Sequence, residues 1–268
     1  MQFSLTVIIP AYNESKRILK SLNDIDEFIQ KGNLASLWNV IVVNDGSIDA
    51  TEEVVKSWIH SNCKNKSCFQ IESYAKNQGK GYAINKGFQL AQNDLVLYTD
   101  ADGACPIEEV EKLLAWIDKG FDVVCGSRVL KDEYSKVKMT FKRRLIGLGF
   151  HSILSILDLA SIEDTQCGFK LFKTTAAKKI IEKQRCFNYS FDIEYLFLSN
   201  LLGYQIKEVP VNWYHVRGSK VNLYIDSIKM LIEVLKIRFC YKYNVKKQEA
   251  GGKKQEERGK KQEARSKK

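Results

Sequence analysis

The feature that most constrains the fold is a repeated unit in which a short apolar run is followed by a segment with helical periodicity. Four runs predict strands: those at residues 5–10, 40–43 and 95–98 are typical of buried strands, and the third run, at 69–74, is a weaker strand pattern. Buried strands that alternate with helices at this spacing predict a doubly wound, mostly parallel sheet covered on both faces. We therefore expect an α/β fold of the Rossmann-like type.

Acidic side chains follow the predicted strands at the points where they end. Asp45 follows the second run, Asp100 and Asp102 follow the fourth, and Asp164 lies in a later loop. The carboxyl ends of the strands in a doubly wound sheet line one crevice, so these acids are expected to gather there. Two carboxylates one residue apart suit Mg²⁺ or Mn²⁺, although Asp and Gly are also common in ordinary turns.

Missing motifs narrow the chemistry of this crevice. The sequence has no G-x-x-x-x-G-K-[ST], no G-x-G-x-x-G after a strand and no G-x-S-x-G, which disfavours P-loop phosphotransfer, dinucleotide redox chemistry and serine hydrolysis. A nucleotide diphosphate-sugar fits better, because a cation held by the acids would neutralise the diphosphate leaving group. Lys80, Arg128, Arg217 and Lys220 are candidates for contacts with phosphate oxygens.

The basic character of the chain belongs mainly to its end. The formal charge is +10, but residues 242–268 carry eleven of the 42 Lys and Arg residues and four of the 32 acidic ones. The nearly balanced remainder argues against a nucleic-acid-binding domain. Residues 1–241 are therefore predicted to form the folded domain. The tail repeats a seven-residue charged pattern without apolar positions, which predicts disorder.

The sequence also makes predictions about location. The seven cysteines are scattered along the chain, which is typical of reduced thiols in a cytosolic compartment. The first strand begins a few residues after Met1, so neither a signal peptide nor an N-terminal anchor is predicted. We expect a cytoplasmic protein without a transmembrane helix.

A basic and apolar segment at residues 136–159 suggests contact with a membrane. Arg143 and Arg144 belong to a basic cluster that leads into an apolar run shorter than the ~20 residues needed to span a bilayer. This arrangement suits an interfacial helix on an anionic membrane, and equally a core helix with a solvated basic flank. Residues 225–239 are amphipathic and could pack on the body or lie on lipid.

Several motifs together resemble a known family. The segments VIIPAYNE at 7–14, VNDGS at 43–47, NQGKG at 77–81 and DADG at 100–103 resemble, in order and spacing, those of family 2 inverting glycosyltransferases, which have the GT-A fold. Later segments are similar to those of the dolichyl-phosphate β-glucosyltransferases within that family: GSR at 126–128, DTQCGFKLF at 164–172, FDIE at 191–194, VNW at 211–213 and GSK at 218–220.

The resemblance implies UDP-glucose as donor, a polyprenyl (dolichyl-type) phosphate as acceptor and Mg²⁺ or Mn²⁺ as cofactor. It implies that uridine and ribose are held by Pro10, Ala11, Tyr12, Glu14 and Asp45. Asp100, Ala101 and Asp102 would contact the diphosphate and its metal, and Lys80 the phosphates. The acceptor side would comprise Asp164, Gln166, Arg128, Arg143, Arg144, Arg217 and Lys220.

Physical chemistry qualifies the role of Asp164. The second pKa of a phosphate monoester is about 6, so the acceptor is largely ionised at neutral pH and needs little help from a general base. We therefore expect Asp164 to orient groups or couple to the metal at least as much as to take a proton.

Two alternatives to this activity stay open from the sequence. The same fold could use GDP-mannose or another donor on the same lipid, or it could be a catalytically silent protein that binds nucleotide sugars or membranes. The eukaryotic members that the chain resembles carry an N-terminal membrane helix that is not present in this sequence. We expect segment 136–159, or a partner, to supply membrane contact on the cytosolic face of the endoplasmic reticulum, or of the plasma membrane in a bacterium.

Overall fold

The computed structural model describes residues 3–32, 37–133, 136–138, 141–157, 159–216 and 229–238. The chain divides into two compact units, Met1–Asn222 and Leu223–Lys268. Arg217, Lys220 and the predicted tail at 242–268 lie outside the described residues. In the second unit, residues 229–238 form a helix whose buried side chains, Met230, Val234 and Ile237, recur at helical spacing.

The predicted alternation of strands and helices is confirmed in the first half of the chain. Its elements are β1 (Leu5–Ala11), α1 (Ile18–Lys31), β2 (Trp38–Asp45), α2 (Thr51–Ser61), β3 (Phe69–Tyr74), α3 (Lys80–Leu90), β4 (Leu95–Thr99) and α4 (Val110–Ile117). Every residue of β1 and β4 is buried, as expected for strands covered on both faces.

The second half adds shorter strands and less regular connections. Its elements are β5 (Val123–Ser127), β6 (Val137–Lys138), α5 (Phe141–Ile156), β7 (Phe169–Lys173), α6 (Thr174–Ile181), α7 (Phe191–Leu201), β8 (Ile206–Pro210) and β9 (Trp213–Tyr214). Strands β6 and β9 pair with each other in a small separate sheet.

The main sheet has seven strands in the order β3-β2-β1-β4-β7-β5-β8. All neighbouring pairs are parallel except those of β7, which runs antiparallel to both β4 and β5. The amino end of β7 therefore lies with the carboxyl ends of its neighbours, and Thr99 pairs with Phe169. This reversal brings the loop that contains Asp164 to the edge where Asp100 and Asp102 lie.

Helix α5 has an unusual exposure pattern. Among its described side chains, which begin at Gly147 and omit that of residue 148, only Leu154 is buried. Ile153 is 37% exposed and Ile156 is 84% exposed. Within the described parts of the chain, no helix is long and apolar enough to cross a bilayer.

Candidate active site

The site is centred on Asp100 and Asp102, directly after β4. The Asp100 carboxylate forms an ion pair with Lys80, whose Nζ lies 2.5 Å from Oδ1. On its other side, Asp100 packs against the backbone of Gly168, where a Cβ atom would lie 2.2 Å from Oδ2. Glycine at position 168 therefore leaves the space that the Asp100 carboxylate fills.

Asp102, the second acid of the pair, stabilises the turn in which it lies. Its Oδ1 accepts a hydrogen bond from the backbone N–H of Ala104 at 3.1 Å, which fixes the start of the following loop. Burial raises the pKa of Asp102, and repulsion from Asp100 raises it further. Burial and the neighbouring carboxylate of Asp100 thus both disfavour the ionised form of Asp102.

Arg17 is a component of the site that was missed from the sequence. Its Nε and Nη2 donate to the two carboxylate oxygens of Glu14 at 2.7 and 2.5 Å, and its Nη1 lies 3.7 Å from Oδ2 of Asp102. The signal that could have revealed it is the spacing of three residues between Glu14 and a cation at the start of α1. Arg17 therefore links the first βα loop to the acidic pair.

The segment expected to hold uridine and ribose forms the loops after β1 and β2. Pro10 and Ala11 are buried at the end of β1, and Tyr12 lies partly exposed beside them. The side chain of Asn13 accepts hydrogen bonds from the backbone N–H groups of Ile48 and Asp49 at 2.8 and 3.3 Å. These contacts fasten the two loops together at the same edge of the sheet as the acidic pair.

Asp45 lies at this edge, and its carboxylate accepts hydrogen bonds from neighbouring residues of the chain. It accepts hydrogen bonds from the backbone N–H groups of Gln78 and Gly79, at 2.7 and 3.0 Å, and from the side chain of Asn77 at 2.8 Å. Burial raises its pKa, and the hydrogen bonds from the backbone of Gln78 and Gly79 oppose that effect. With 2% exposure, Asp45 shapes the loop that leads to Lys80.

Asp164 forms a bidentate ion pair with Arg128. Arg128 donates to it through Nε at 2.7 Å, through Nη2 at 2.8 Å and through its backbone N–H at 2.9 Å. Burial disfavours the ionised acid, but the attraction and hydrogen bonds of Arg128 outweigh burial and hold the pKa of Asp164 below its usual value. Asp164 is therefore an ionised partner of Arg128 and a poor proton acceptor.

A buried lysine supports the loop between Asp164 and β7. Lys170 is fully buried, and its Nζ donates to the backbone carbonyls of Thr165 and Cys167 at 2.9 and 2.7 Å. It also donates to Oδ1 of Asp192 at 2.6 Å, and the Tyr98 hydroxyl donates to that same oxygen. Lys170 thus links this loop to Asp192 of α7, and Asp192 in turn is bonded to Tyr98 of β4.

For the remaining predicted residues, the structure gives burial or position rather than specific contacts. Ala101 is buried between the two acids, and Gln166 is partly buried in the loop before β7. Arg143 and Arg144 belong to α5, but their side chains lie outside what the structure describes. The structure therefore brings together the two acids, Lys80, Arg128 and Asp164, and adds Arg17 and Lys170.

The acidic pair fits a divalent metal by its chemistry. Asp100 and Asp102 offer only oxygen donors, which Mg²⁺ and Mn²⁺ accept, and a cation would relieve the repulsion that raises the pKa of Asp102. The described residues contain no group of three or more His, Cys, Asp or Glu side chains that could hold a metal. Any remaining ligands would have to come from water or from diphosphate oxygens, as is common for Mg²⁺.

Solved structures with a similar architecture identify the fold. A glucosyl-3-phosphoglycerate synthase from Mycobacterium tuberculosis, crystallised with Mn²⁺, UDP and phosphoglyceric acid, superposes with a TM-score of 0.65 at 19% identity, over 88% of this chain and 78% of that one. The TarS fragment from S. aureus, crystallised with UDP-GlcNAc, has a TM-score of 0.59 at 19% identity, over 88% and 65%. The fold is that of GT-A glycosyltransferases.

Sequence comparisons identify the family. The model described as Glycosyl transferase family 2 matches residues 6–181. Proteins named dolichyl-phosphate beta-glucosyltransferase are 38% identical in Saccharomyces cerevisiae, over 88% of this chain and 75% of that protein, and 36% identical in Dictyostelium discoideum, over 91% and 76%. The Homo sapiens protein of that name is 33% identical, over 88% and 75%. The chain belongs to glycosyl transferase family 2.

Proposed function

We propose that this protein transfers glucose from UDP-glucose to a polyprenyl phosphate of the dolichyl type, with inversion to a β-linked product. The observation that carries the proposal is the 33–38% identity to relatives named for this activity, over about nine-tenths of the chain. The geometry is compatible with it, because acids suited to a metal and a cationic pair suited to phosphate lie at one edge of the sheet.

On the donor side, the loops after β1 and β2 would hold the nucleoside, and the acidic pair would face the diphosphate. Tyr12 is partly exposed there, and the fixed positions of Glu14 and Asn13 give the loop a defined shape. Asp100 and Asp102 would hold Mg²⁺ or Mn²⁺, which would offset the negative charge of the departing diphosphate. Lys80 contacts Asp100, so it would also be within reach of the diphosphate oxygens.

On the acceptor side, Arg128 would bind the phosphate and Asp164 would hold Arg128 in place. An oxygen of the acceptor phosphate forms the new bond to C1 of glucose while the bond from C1 to the UDP oxygen breaks. The acceptor oxygen is already ionised at neutral pH, and the low pKa of Asp164 makes it unsuited to take a proton. Asp164 therefore contributes orientation and charge rather than general-base catalysis.

The acceptor lipid requires a position at a membrane surface, and α5 is the described element best suited to it. Its exposed isoleucines, Ile153 and Ile156, project from a helix in which only Leu154 is buried among the described side chains. Exposed apolar side chains on a helix with a basic flank favour the membrane interface. We propose peripheral binding at the cytosolic face, with residues 136–159 in contact with lipid headgroups.

A substitution in α5 tests this membrane contact. Replacing Ile156 by Asp should weaken co-flotation with vesicles of phosphatidylcholine and phosphatidylserine by about tenfold, because one apolar side chain would no longer enter the interface. Ile48, which is 88% exposed in the turn between β2 and α2, offers a matched control. Equal flotation of Ile156→Asp, Ile48→Asp and wild type would contradict a role for α5.

A donor panel tests the proposed function against its alternatives. Purified protein, Mg²⁺ or Mn²⁺ and polyprenyl phosphate are incubated with radiolabelled UDP-glucose, UDP-N-acetylglucosamine or GDP-mannose, and the lipid fraction is counted. We expect label in the lipid from UDP-glucose far above that from the other donors. Transfer from GDP-mannose instead would identify a mannosyltransferase, and no transfer from any donor would favour a catalytically silent binding protein.

A further inference from the structure

Two cations from different parts of the chain contact the acidic pair. Lys80, the first residue of α3, lies 2.5 Å from Asp100, and Arg17, directly before α1, lies 3.7 Å from Asp102. Each carboxylate expected to bind the metal therefore has a positively charged side chain of its own beside it. Such cations compete with a divalent metal for the same oxygens.

One hydrogen-bond donor of Arg17 is not satisfied within the described residues. Two of its nitrogens are engaged by Glu14, whereas Nη1 is buried and has no hydrogen-bond partner within the described residues. Its 3.7 Å separation from Asp102 is too long for a hydrogen bond. A buried donor without a partner is costly, so a bound group that supplies an acceptor there would be stabilised.

We propose that Arg17 and Lys80 are exchangeable counter-ions: without nucleotide they weaken cation binding to Asp100 and Asp102, and with nucleotide they donate to its diphosphate. Metal and nucleoside diphosphate would then bind cooperatively, each removing an obstacle to the other. The inference rests on the proposed function only for the nucleoside diphosphate. It does not depend on which sugar is transferred or on the lipid acceptor.

The sign of the effect follows from charge. Without nucleotide, a divalent cation approaching the acidic pair is repelled by the ammonium of Lys80 and the guanidinium of Arg17. A diphosphate gives both groups new anionic partners and at the same time supplies oxygens to the cation. By linkage, the factor by which UDP strengthens metal binding equals the factor by which metal strengthens UDP binding.

The test measures Mn²⁺ binding directly, from the electron paramagnetic resonance signal of free Mn²⁺ during titration with and without UDP. Wild type should bind Mn²⁺ weakly alone and much more tightly with UDP. Arg17→Gln should bind Mn²⁺ alone about tenfold more tightly than wild type, because one repelling charge is gone. The same variant should show a smaller enhancement by UDP, since one diphosphate contact is lost.

Three further variants separate charge from other effects. Lys80→Met should also bind Mn²⁺ alone more tightly than wild type and show a smaller enhancement by UDP. If a thermal melt shows that Arg17→Gln does not fold, Lys80→Met alone tests the inference. Arg17→Lys keeps the charge and should bind Mn²⁺ alone as wild type does. Lys20→Met is the matched control, because it removes a cation from α1 that pairs with the exposed Asp24 at 2.8 Å.

The outcomes distinguish this inference from the proposed function. Folded Arg17→Gln or Lys80→Met protein that binds Mn²⁺ alone no more tightly than wild type would overturn the counter-ion exchange. Absence of glucosyl transfer, by contrast, would overturn the proposed function and leave the Mn²⁺ and UDP titrations interpretable. An equal gain in Lys20→Met would also overturn the inference, because it would show a general effect of net charge.

Discussion

Replacing Asp102 by Asn should reduce glucosyl transfer by about a thousandfold, while the protein stays folded. The substitution removes one of the two carboxylate charges available to a metal. A loss of several kcal/mol of charge stabilisation in the transition state corresponds to a factor of that size. Asparagine keeps a side-chain oxygen that can accept the hydrogen bond from the N–H of Ala104, so the turn should persist.

The measurement is the initial rate of transfer at saturating UDP-glucose, together with a thermal melt. Asp118→Asn is a suitable control, because Asp118 is an exposed aspartate at the end of α4 and lies outside the site. We expect the control to retain wild-type activity. A fully active Asp102→Asn variant would contradict the assignment of the acidic pair as the site where the diphosphate is stabilised.

Replacing Lys170 by Met should have the largest effect on stability, and it should also disable the site. Its ammonium is fully buried, so its loss leaves Asp192 as an uncompensated buried charge and leaves the carbonyls of Thr165 and Cys167 without this donor. Breaking a buried ion pair in this way costs about 3–5 kcal/mol of the free energy of unfolding. Urea unfolding followed by circular dichroism measures the loss.

A double variant separates stability from positioning. Adding Asp192→Asn to Lys170→Met removes the orphaned charge and should restore part of the free energy of unfolding. Activity should stay low, because the loop before β7 still lacks the donor that holds it, and that loop carries Asp164 and the glycine that packs against Asp100. Recovery of activity together with stability would contradict a positioning role for Lys170.

The sequence allowed the acids of the site to be predicted because parallel strands impose a simple geometry. Residues that follow β2 and β4 must lie at one edge of the sheet, so Asp45, Asp100 and Asp102 could be placed together from the apolar runs alone. The mostly parallel α/β fold was predictable for the same reason. Local periodicity is enough to predict both the fold class and the edge at which these acids lie, without knowledge of contacts between distant residues.

Other parts of the site depend on contacts that periodicity does not encode. The alternation at residues 168–172 is typical of a half-exposed strand, yet Lys170 is fully buried because Asp192, 22 residues further on, neutralises it. The need for glycine at position 168 arises only because β7 is antiparallel to β4. The contact of Asp45 with nucleotide stays a prediction, and periodicity did not reveal that its described bonds fasten the loop before α3.

The most direct test of the central claim is the structure of the product. The protein is incubated with Mg²⁺ or Mn²⁺, polyprenyl phosphate and UDP-glucose isotopically labelled at the anomeric carbon, and the lipid product is examined by nuclear magnetic resonance. We predict a single β-linked glucosyl phosphate that is absent with Asp102→Asn. An α-linked product, or no lipid-linked glucose from the wild-type protein, would contradict the proposed function.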